Sequence, residues 1–299
     1  MKKIKYFVDY FKYLNNPIEA LKFKFGLKNS CEIQAKNSHQ KIIIHNESTL
    51  NDIMKKIKKI PKEKTSEFLI YMEEIDKNLE YVTIGNIKYI NVKNSTFKEN
   101  SPYEYAVCSE EYFYGDEWNM VDFNNRHVID IGGNNGDTSL YFAKKGSEVI
   151  GFEPVKHLYD LALENIDLND DLKDKITFIN KGVGAKRGEL QINAKSIKDY
   201  IDDDTYKMEI ITINDILNNY NFTPDILKMD CEGCEFEIIL NEDLTMFNDI
   251  IFEHHSKITG KNFIPLIEKL EEDGFKIDTF PVVVSDLPFE DIGIIHAYK

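Results

Sequence analysis

The chain has 299 residues, 42% of them hydrophobic and 30% charged, which is typical of a folded globular protein with one large domain or two modest ones. Its formal net charge of −15 argues against nucleic acid as the main partner, because phosphate backbones are bound by basic surfaces. No apolar run is long enough to span a membrane, no signal-peptide core follows the basic start, and four scattered cysteines make no disulfide scaffold, so we expect a cytoplasmic protein.

Residues 1–105 are predicted to form an N-terminal accessory α+β region. Its start combines seven lysines within thirty residues with apolar side chains at helical spacing. The apolar positions of this predicted helix are Tyr6, Phe7, Tyr10, Phe11 and Leu14. A basic amphipathic helix can make peripheral contact with a membrane surface or bind an acidic partner, but we favour packing on the main domain with the lysines in water. Strands are predicted at 42–44, 81–84 and 87–92, the last two joined by a Gly85-Asn86 turn.

From His127 onward, predicted strands alternate with predicted helices, which indicates a mostly parallel sheet covered on both faces. The strands are predicted at 128–131, 148–152, 176–179, 225–230, 250–252, 275–280 and 292–297. The helices are predicted at 138–145, 158–168, 215–220, 234–240 and 263–272, with a hairpin within 188–213. No helix separates the last two strands, so the last one should run antiparallel. We therefore predict an α/β domain over residues 106–299 with a seven-stranded, Rossmann-like sheet.

A glycine-rich loop follows the first strand of this domain, where ligands of such sheets bind. Its glycines, Gly132, Gly133 and Gly136, allow a tight turn and a close approach of a ligand to the backbone. The helix that begins near Thr138 presents its positive end to the loop and favours an anionic group such as a carboxylate.

Two acidic residues end the first two strands of the domain. Asp130 is placed to accept from an ammonium group, and Glu153 is placed to accept from both hydroxyls of a ribose. The dinucleotide fingerprint fails, because its first glycine would fall on Ile131. We expect Asp130 and Glu153 to flank a nucleoside with an amino-acid tail. The candidate cofactor-binding residues are Asp130, Gly132, Gly133, Asn134, Gly136, Asp137, Thr138, Glu153 and Pro154.

With these motifs the chain resembles the FkbM family of S-adenosylmethionine-dependent methyltransferases. The matching stretches are 128–139, 151–154 and 225–235, with weaker matches at 211–216 and 251–254. The third stretch carries the specific K-x-D-x-E-G-x-E signature. The sequence departs from the family pattern at Gly133, Asn214, Cys231 and Cys234. The resemblance implies a class I methyltransferase fold, S-adenosylmethionine as cofactor, and a sugar-like or small-molecule hydroxyl as methyl acceptor.

A second acidic cluster is predicted where the strands ending at Asp230 and Glu253 meet the same edge of the sheet. In one interpretation, Asp230 or a histidine is the general base for the acceptor hydroxyl, and we take Asp230, Glu232 and His254 as candidate catalytic residues. In the other, a magnesium-like cation is held by oxygen ligands from Asp230, Glu232 and Glu253 with His254 or His255. We favour base catalysis, although Glu232 and Glu235 could merely stabilise the start of the next helix.

Four further alternatives remain open, two for the cysteines and two for the function. The spacing Cys231-x-x-Cys234 also occurs in redox and zinc sites, but no second pair exists, and we interpret these cysteines as small residues of a turn. Besides O-methylation, the glycine loop is compatible with a nicotinamide-dependent oxidoreductase or a non-catalytic module that binds the cofactor.

Overall fold

The computed structural model describes residues 2–92, 112–113, 118–193, 205–220, 223–282, 285 and 287–299. These residues form two compact units, one of residues up to 113 and one of residues from 118 onward. The predicted domain boundary between residues 105 and 106 lies outside the described residues.

The first unit combines four helices with two antiparallel strand pairs among its described residues. The helices are α1 (Lys2–Tyr13), α2 (Pro17–Lys24), α3 (Glu47–Lys56) and α4 (Thr65–Asp76). The pairs are β1 (Cys31–Gln34) with β2 (Lys41–Ile44), and β3 (Tyr81–Ile84) with β4 (Ile87–Ile90). The predicted turn is confirmed, because Gly85 and Asn86 both have a φ of 60° and join β3 to β4. Strand β1 was not predicted.

The second unit is built on the seven-stranded sheet that the alternation predicts. Its strands are β5 (His127–Ile131), β6 (Glu148–Phe152), β7 (Ile176–Ile179), β11 (Ile226–Met229), β12 (Asp249–His254), β13 (Lys276–Pro281) and β14 (Gly293–Tyr298). Their order across the sheet is β13-β14-β12-β11-β5-β6-β7. Only β14, the last strand in sequence, runs antiparallel to its neighbours. This is the predicted class I methyltransferase-like fold.

A smaller sheet adjoins the main one in sequence, with the short β8 (Gly182–Val183) paired to β10 (Thr205–Ile211) and β10 to β9 (Gly188–Asn193). The antiparallel pairing of β9 and β10 confirms the predicted hairpin.

Helices cover the sheet because each buries one apolar face against it. They are α5 (Asp137–Lys144), α6 (Lys156–Asp167), α7 (Ile213–Asn219), α8 (Cys234–Asn241), the short α9 (Ser256–Thr259) and α10 (Ile264–Glu272). Helix α7 begins two residues earlier than predicted, because Thr212 and Asp215 form a reciprocal capping box. Among the described residues, none of the helices has the length and apolar character needed to cross a membrane.

Candidate functional site

The glycine loop between β5 and α5 is a tight turn that only glycine can make at its first position. Gly132 has a φ of +76°, and a side chain there would collide with the main-chain oxygen of Asp230. A side chain at Gly133 would come within 2.7 Å of the ring of Phe178. The loop is closed by hydrogen bonds from the N–H groups of Gly132 and Gly133 to the carbonyl of Phe152. The loop after β5 therefore lies directly against the tip of β11, where Asp230 stands.

Asp130 is placed inside the protein, beneath this loop. It pairs across the sheet with Lys228, so both side chains stand on one face of the sheet. Lys228 Nζ lies 2.9 Å from Asp130 Oδ1 and donates to the carbonyl of Gly132 at 3.0 Å. The hydroxyls of Thr138 and Ser139 donate to Asp130 Oδ2 at 2.7 and 2.6 Å. Both carboxylate oxygens are thus used in holding the loop and the start of α5, and the side chain is fully buried.

Glu153 ends β6 beside the loop, as the sequence predicts. Its carboxylate accepts from the N–H groups of Asn134, at 3.0 Å, and Val155, at 2.8 Å. Burial raises the pKa of Glu153 to about 8, although these two hydrogen bonds lower it. The side-chain oxygens of Asn134 and Asn135 in the same loop are buried without a hydrogen-bond partner in this structure. The loop and Glu153 thus form a polar cradle with unused acceptors, which fits a nucleoside.

The other predicted cofactor residues lie around this cradle. Gly136 has a φ of +80° and precedes α5, and Asp137 is the first residue of that helix. Burial raises the pKa of Asp137 to about 6. Pro154 follows Glu153, and the amide of Asn180 donates to the carbonyls of both residues. Sequence reasoning did not single out Asn180, because it lies outside every recognised motif.

We expect Glu153→Gln to stabilise the protein at alkaline pH. The pKa of Glu153 is raised from 4.5 to about 8 on folding, so the folded chain holds this proton more tightly than the unfolded chain does. The contribution of Glu153 to the free energy of unfolding is therefore fully present below pH 4.5 and is lost as the pH rises towards 8. The variant should match the wild type at pH 4 and exceed its free energy of unfolding by at least about 2 kcal/mol at pH 9.

Urea unfolding at both pH values measures this difference. The matched control is Glu148→Gln at the exposed amino end of the same strand, which should change stability equally little at both. If Glu153→Gln were no more stable than the wild type at pH 9, ionisation of Glu153 would not lower the free energy of unfolding, and the raised pKa would be contradicted.

The acidic cluster is assembled around His255. Its Nε2 lies 3.1 Å from Glu253, 3.6 Å from Glu232 and 3.7 Å from Asp230, and its Nδ1 lies 3.5 Å from Glu235. His255 and Glu235 are buried, whereas the side chain of Asp230 is 36% exposed and that of Glu232 is 67% exposed. The structure thus brings Asp230, Glu232 and Glu253 together around His255, and Asp230 and Glu232 remain accessible to water.

Electrostatics makes His255 the cation of this cluster. Burial lowers its pKa, but hydrogen bonds to Glu235 and Glu253 and the charges of Asp230 and Glu232 outweigh burial and raise the pKa to about 11. Burial raises the pKa of Glu253 and of Glu232. A protonated His255 holds these carboxylates together by the attraction of opposite charges. It does not itself accept a proton at neutral pH.

His254, the predicted catalytic histidine, lies away from the cluster. Its ring stacks on Phe263 at 4.4 Å and meets the edge of Phe289, and its Nδ1 lies 3.0 Å from the hydroxyl of Ser256. Burial lowers its pKa to about 4. A two-residue period along β12 could have separated the two histidines, because residues 253 and 255 then share one face and residue 254 points to the other.

The cysteines of the turn after β11 are joined, contrary to their interpretation as ordinary small residues. Cys231 and Cys234 form a disulfide across the turn that carries Glu232 and Gly233. Spacing alone does not distinguish a disulfide from two thiols, since C-x-x-C occurs in both states.

Comparison with known protein families finds a match over the central part of the chain. The model of the methyltransferase FkbM domain matches residues 130–277, from the end of β5 into β13. No curated protein matches the chain.

Several solved methyltransferases share the fold at low identity. A methyltransferase FkbM from Methylobacillus flagellatus KT is 11% identical over 85% of this chain and 63% of that chain, with a TM-score of 0.43. A magnesium protoporphyrin IX methyltransferase from Synechocystis PCC 6803, with bound SAM, is 14% identical over 60% of this chain and 72% of that chain, with a TM-score of 0.37. M. capricolum TrmK, in complex with S-adenosyl-homocysteine, is 13% identical over 62% of this chain and 66% of that chain, with a TM-score of 0.38.

Proposed function

Because residues 130–277 belong to the methyltransferase FkbM family, we propose that this chain transfers a methyl group from S-adenosylmethionine to the hydroxyl of a glycan or small molecule. One observation carries the proposal. The main-chain oxygen of Asp230 occupies the space beside Gly132, so the tip of β11 and the glycine loop form one continuous edge. A carboxylate that is 36% exposed therefore stands next to the polar cradle.

The cradle residues would hold the cofactor. Glu153 is the acceptor for the ribose hydroxyls, because each of its carboxylate oxygens now accepts a single N–H and can accept a second hydrogen bond. The loop of Gly132, Asn134 and Gly136 lets the nucleoside approach the backbone. Asp130 supports the loop through its contacts with Lys228 and with Thr138 at the start of α5. When bound, S-adenosylmethionine supplies an electrophilic methyl group on a positively charged sulfur.

Asp230 is the residue that we assign to proton removal. An acceptor hydroxyl held at the open edge can donate its proton to this carboxylate as the oxygen becomes a nucleophile. His255 lies 3.7 Å from Asp230 and orients it, and Glu253 in turn holds His255 at 3.1 Å. The cluster thereby supplies a fixed acceptor for the proton, and the edge of the sheet supplies the alignment of the reacting groups.

A divalent cation is a second candidate for activating the acceptor. One ligand atom each from Asp230, Glu253 and His255 lie within 4.8 Å of one another. Oxygen and imidazole ligands of this kind suit magnesium-like or transition-metal ions, and cation binding would displace a proton from His255. Methyl transfer that survives dialysis against EDTA unchanged would leave only the base mechanism.

Two measurements test the proposed function. Calorimetry should show binding of S-adenosylmethionine at micromolar to millimolar concentration, and an absence of heat at millimolar cofactor would end the proposal. A screen of glycans and small hydroxyl compounds with labelled cofactor should then find an acceptor that gains the label at oxygen. Labelling at nitrogen or carbon alone would keep the methyltransferase but refute the hydroxyl acceptor.

A further inference from the structure

The turn between β11 and α8 carries a disulfide at an accessible position. Cys231 and Cys234 are both partly exposed, and Cys234 is the first residue of α8. The positive end of a helix stabilises a thiolate, which is the reacting form of a cysteine. The described chain has one other cysteine, Cys31, which is buried in the first unit and whose pKa burial raises to about 12. The two turn cysteines therefore differ from Cys31 in both access and electrostatics.

This turn is connected directly to the acidic cluster. Glu232, between the two cysteines, has a φ of +57°, and Gly233 has a φ of +126°. The N–H of Gly233 donates to Glu235 Oε2 at 3.0 Å, and Cys231 Sγ lies 3.3 Å from the same oxygen. The other oxygen of Glu235 accepts from the N–H of His255 at 3.3 Å. A change in the bond between the sulfurs is thus one contact away from Glu235 and two contacts away from His255.

We propose that Cys231 and Cys234 are a redox-active pair whose oxidation state controls the arrangement of Glu232 and Glu235 around His255. The pair exchanges with a low-molecular-weight thiol and its disulfide. On oxidation, one cysteine thiolate attacks the small disulfide, and the second cysteine then displaces the small thiol from the mixed disulfide. Two electrons and two protons leave the protein dithiol, and the small disulfide becomes two thiols.

The disulfide and the dithiol make different contacts with the glutamates of the acidic cluster. In the disulfide, the turn is closed and Glu232 is held in its left-handed conformation beside His255. In the dithiol, the turn is released and the thiol of Cys231 can donate to Glu235, whose oxygen lies 3.3 Å away. Reduction therefore gives Glu235 a new hydrogen-bond donor and releases Glu232 from its fixed position beside His255. An effect on methyl transfer rests on the proposed function, whereas the exchange and its coupling to the cluster do not.

The first test is a redox titration without cofactor or acceptor. The full chain is equilibrated with mixtures of reduced and oxidised dithiothreitol, its thiols are alkylated, and the labels are located by mass spectrometry. We expect Cys231 and Cys234 both to be alkylated in reduced reagent and neither to be alkylated in oxidised reagent. The two labels should be lost together, at one midpoint, as the fraction of oxidised dithiothreitol rises. Cys31→Ser is the control and should give the same midpoint. A pair that stays fully alkylated in oxidised reagent, or never alkylated in reduced reagent, would refute redox activity.

The second test asks whether the pair is coupled to the cluster. If the oxidation state changes the environment of His255, then removal of His255 must change the midpoint, because coupling is reciprocal. We expect His255→Gln and Glu232→Gln each to shift the midpoint ratio of reduced to oxidised reagent by about fivefold or more. His127→Gln, at the opposite end of the sheet, should not shift it. Glu232 is largely exposed, so its variant remains informative if His255→Gln does not fold. An unchanged midpoint in every folded cluster variant would refute the coupling.

Discussion

Lys228→Ala should lower the free energy of unfolding of the methyltransferase domain by about 3–5 kcal/mol, the range for removing one partner of a buried ion pair. Lys228 is 1% exposed and Asp130 is fully buried, so the variant leaves a carboxylate that water cannot reach. Burial lowers the pKa of Lys228, but the charges of Asp130, Asp230 and Asp137 outweigh burial and raise it, so the lysine is charged in the native protein. Loss of its bond to the carbonyl of Gly132 also releases the cofactor loop.

Urea unfolding followed by tryptophan fluorescence measures this loss. The chain has one tryptophan, Trp118, and Lys228 Nζ lies 5.6 Å from the centre of its ring, so the signal reports on the same region. Lys276→Ala on the exposed edge strand β13 is the matched control and should change stability by less than about 0.5 kcal/mol.

A double variant separates charge from packing. Lys228→Met with Asp130→Asn removes both charges, and the amide oxygen can still accept from Thr138 and Ser139. Because no unpaired charge is left in the interior, the double variant should recover much of the lost stability. If Lys228→Ala were within about 1 kcal/mol of wild type, the pair would not be the support that we assign to the loop.

The sequence predicts well the local backbone conformations of the site and the order of the strands that carry it. The turn of Gly132 and Gly136 depends on backbone conformations that glycine adopts readily, and Glu153 stands at the end of a strand that its apolar pattern marks. The regular alternation from β5 onward determines which strand ends share an edge, so the sequence alone is enough to place Asp230 and Glu253 together.

A nicotinamide-dependent oxidoreductase, also compatible with a glycine loop, is not what the family match supports.

The parts that sequence reasoning placed less well depend on tertiary contacts. Asp130 occupies the expected strand tip, but its side chain turns to Lys228 on the neighbouring strand, and only the register of β5 and β11 shows that they meet. His255 rather than His254 joins the acidic residues, because side chains alternate along β12 and only residues 253 and 255 share a face. The disulfide required two sulfurs to meet across a turn whose conformation depends on Glu232 and Gly233.

Asp230→Asn should reduce methyl transfer by about 10²- to 10⁴-fold, the usual contribution of a general base. The substitution keeps the size of the side chain and removes its ability to take a proton from the acceptor hydroxyl. Because Glu153 and the glycine loop lie outside the substitution, the dissociation constant for S-adenosylmethionine should stay within about twofold of wild type.

Calorimetry and single-turnover transfer to the acceptor found in the screen give the two values separately. Glu148→Gln, an exposed carboxylate at the far end of β6, is the matched control and should retain full activity and affinity. A large loss of cofactor affinity would place Asp230 in the cofactor site instead, and retained methyl transfer would exclude it as the base. If activity fell and EDTA abolished wild-type transfer as well, the same carboxylate would act as a cation ligand, because a base mechanism alone gives no dependence on metal.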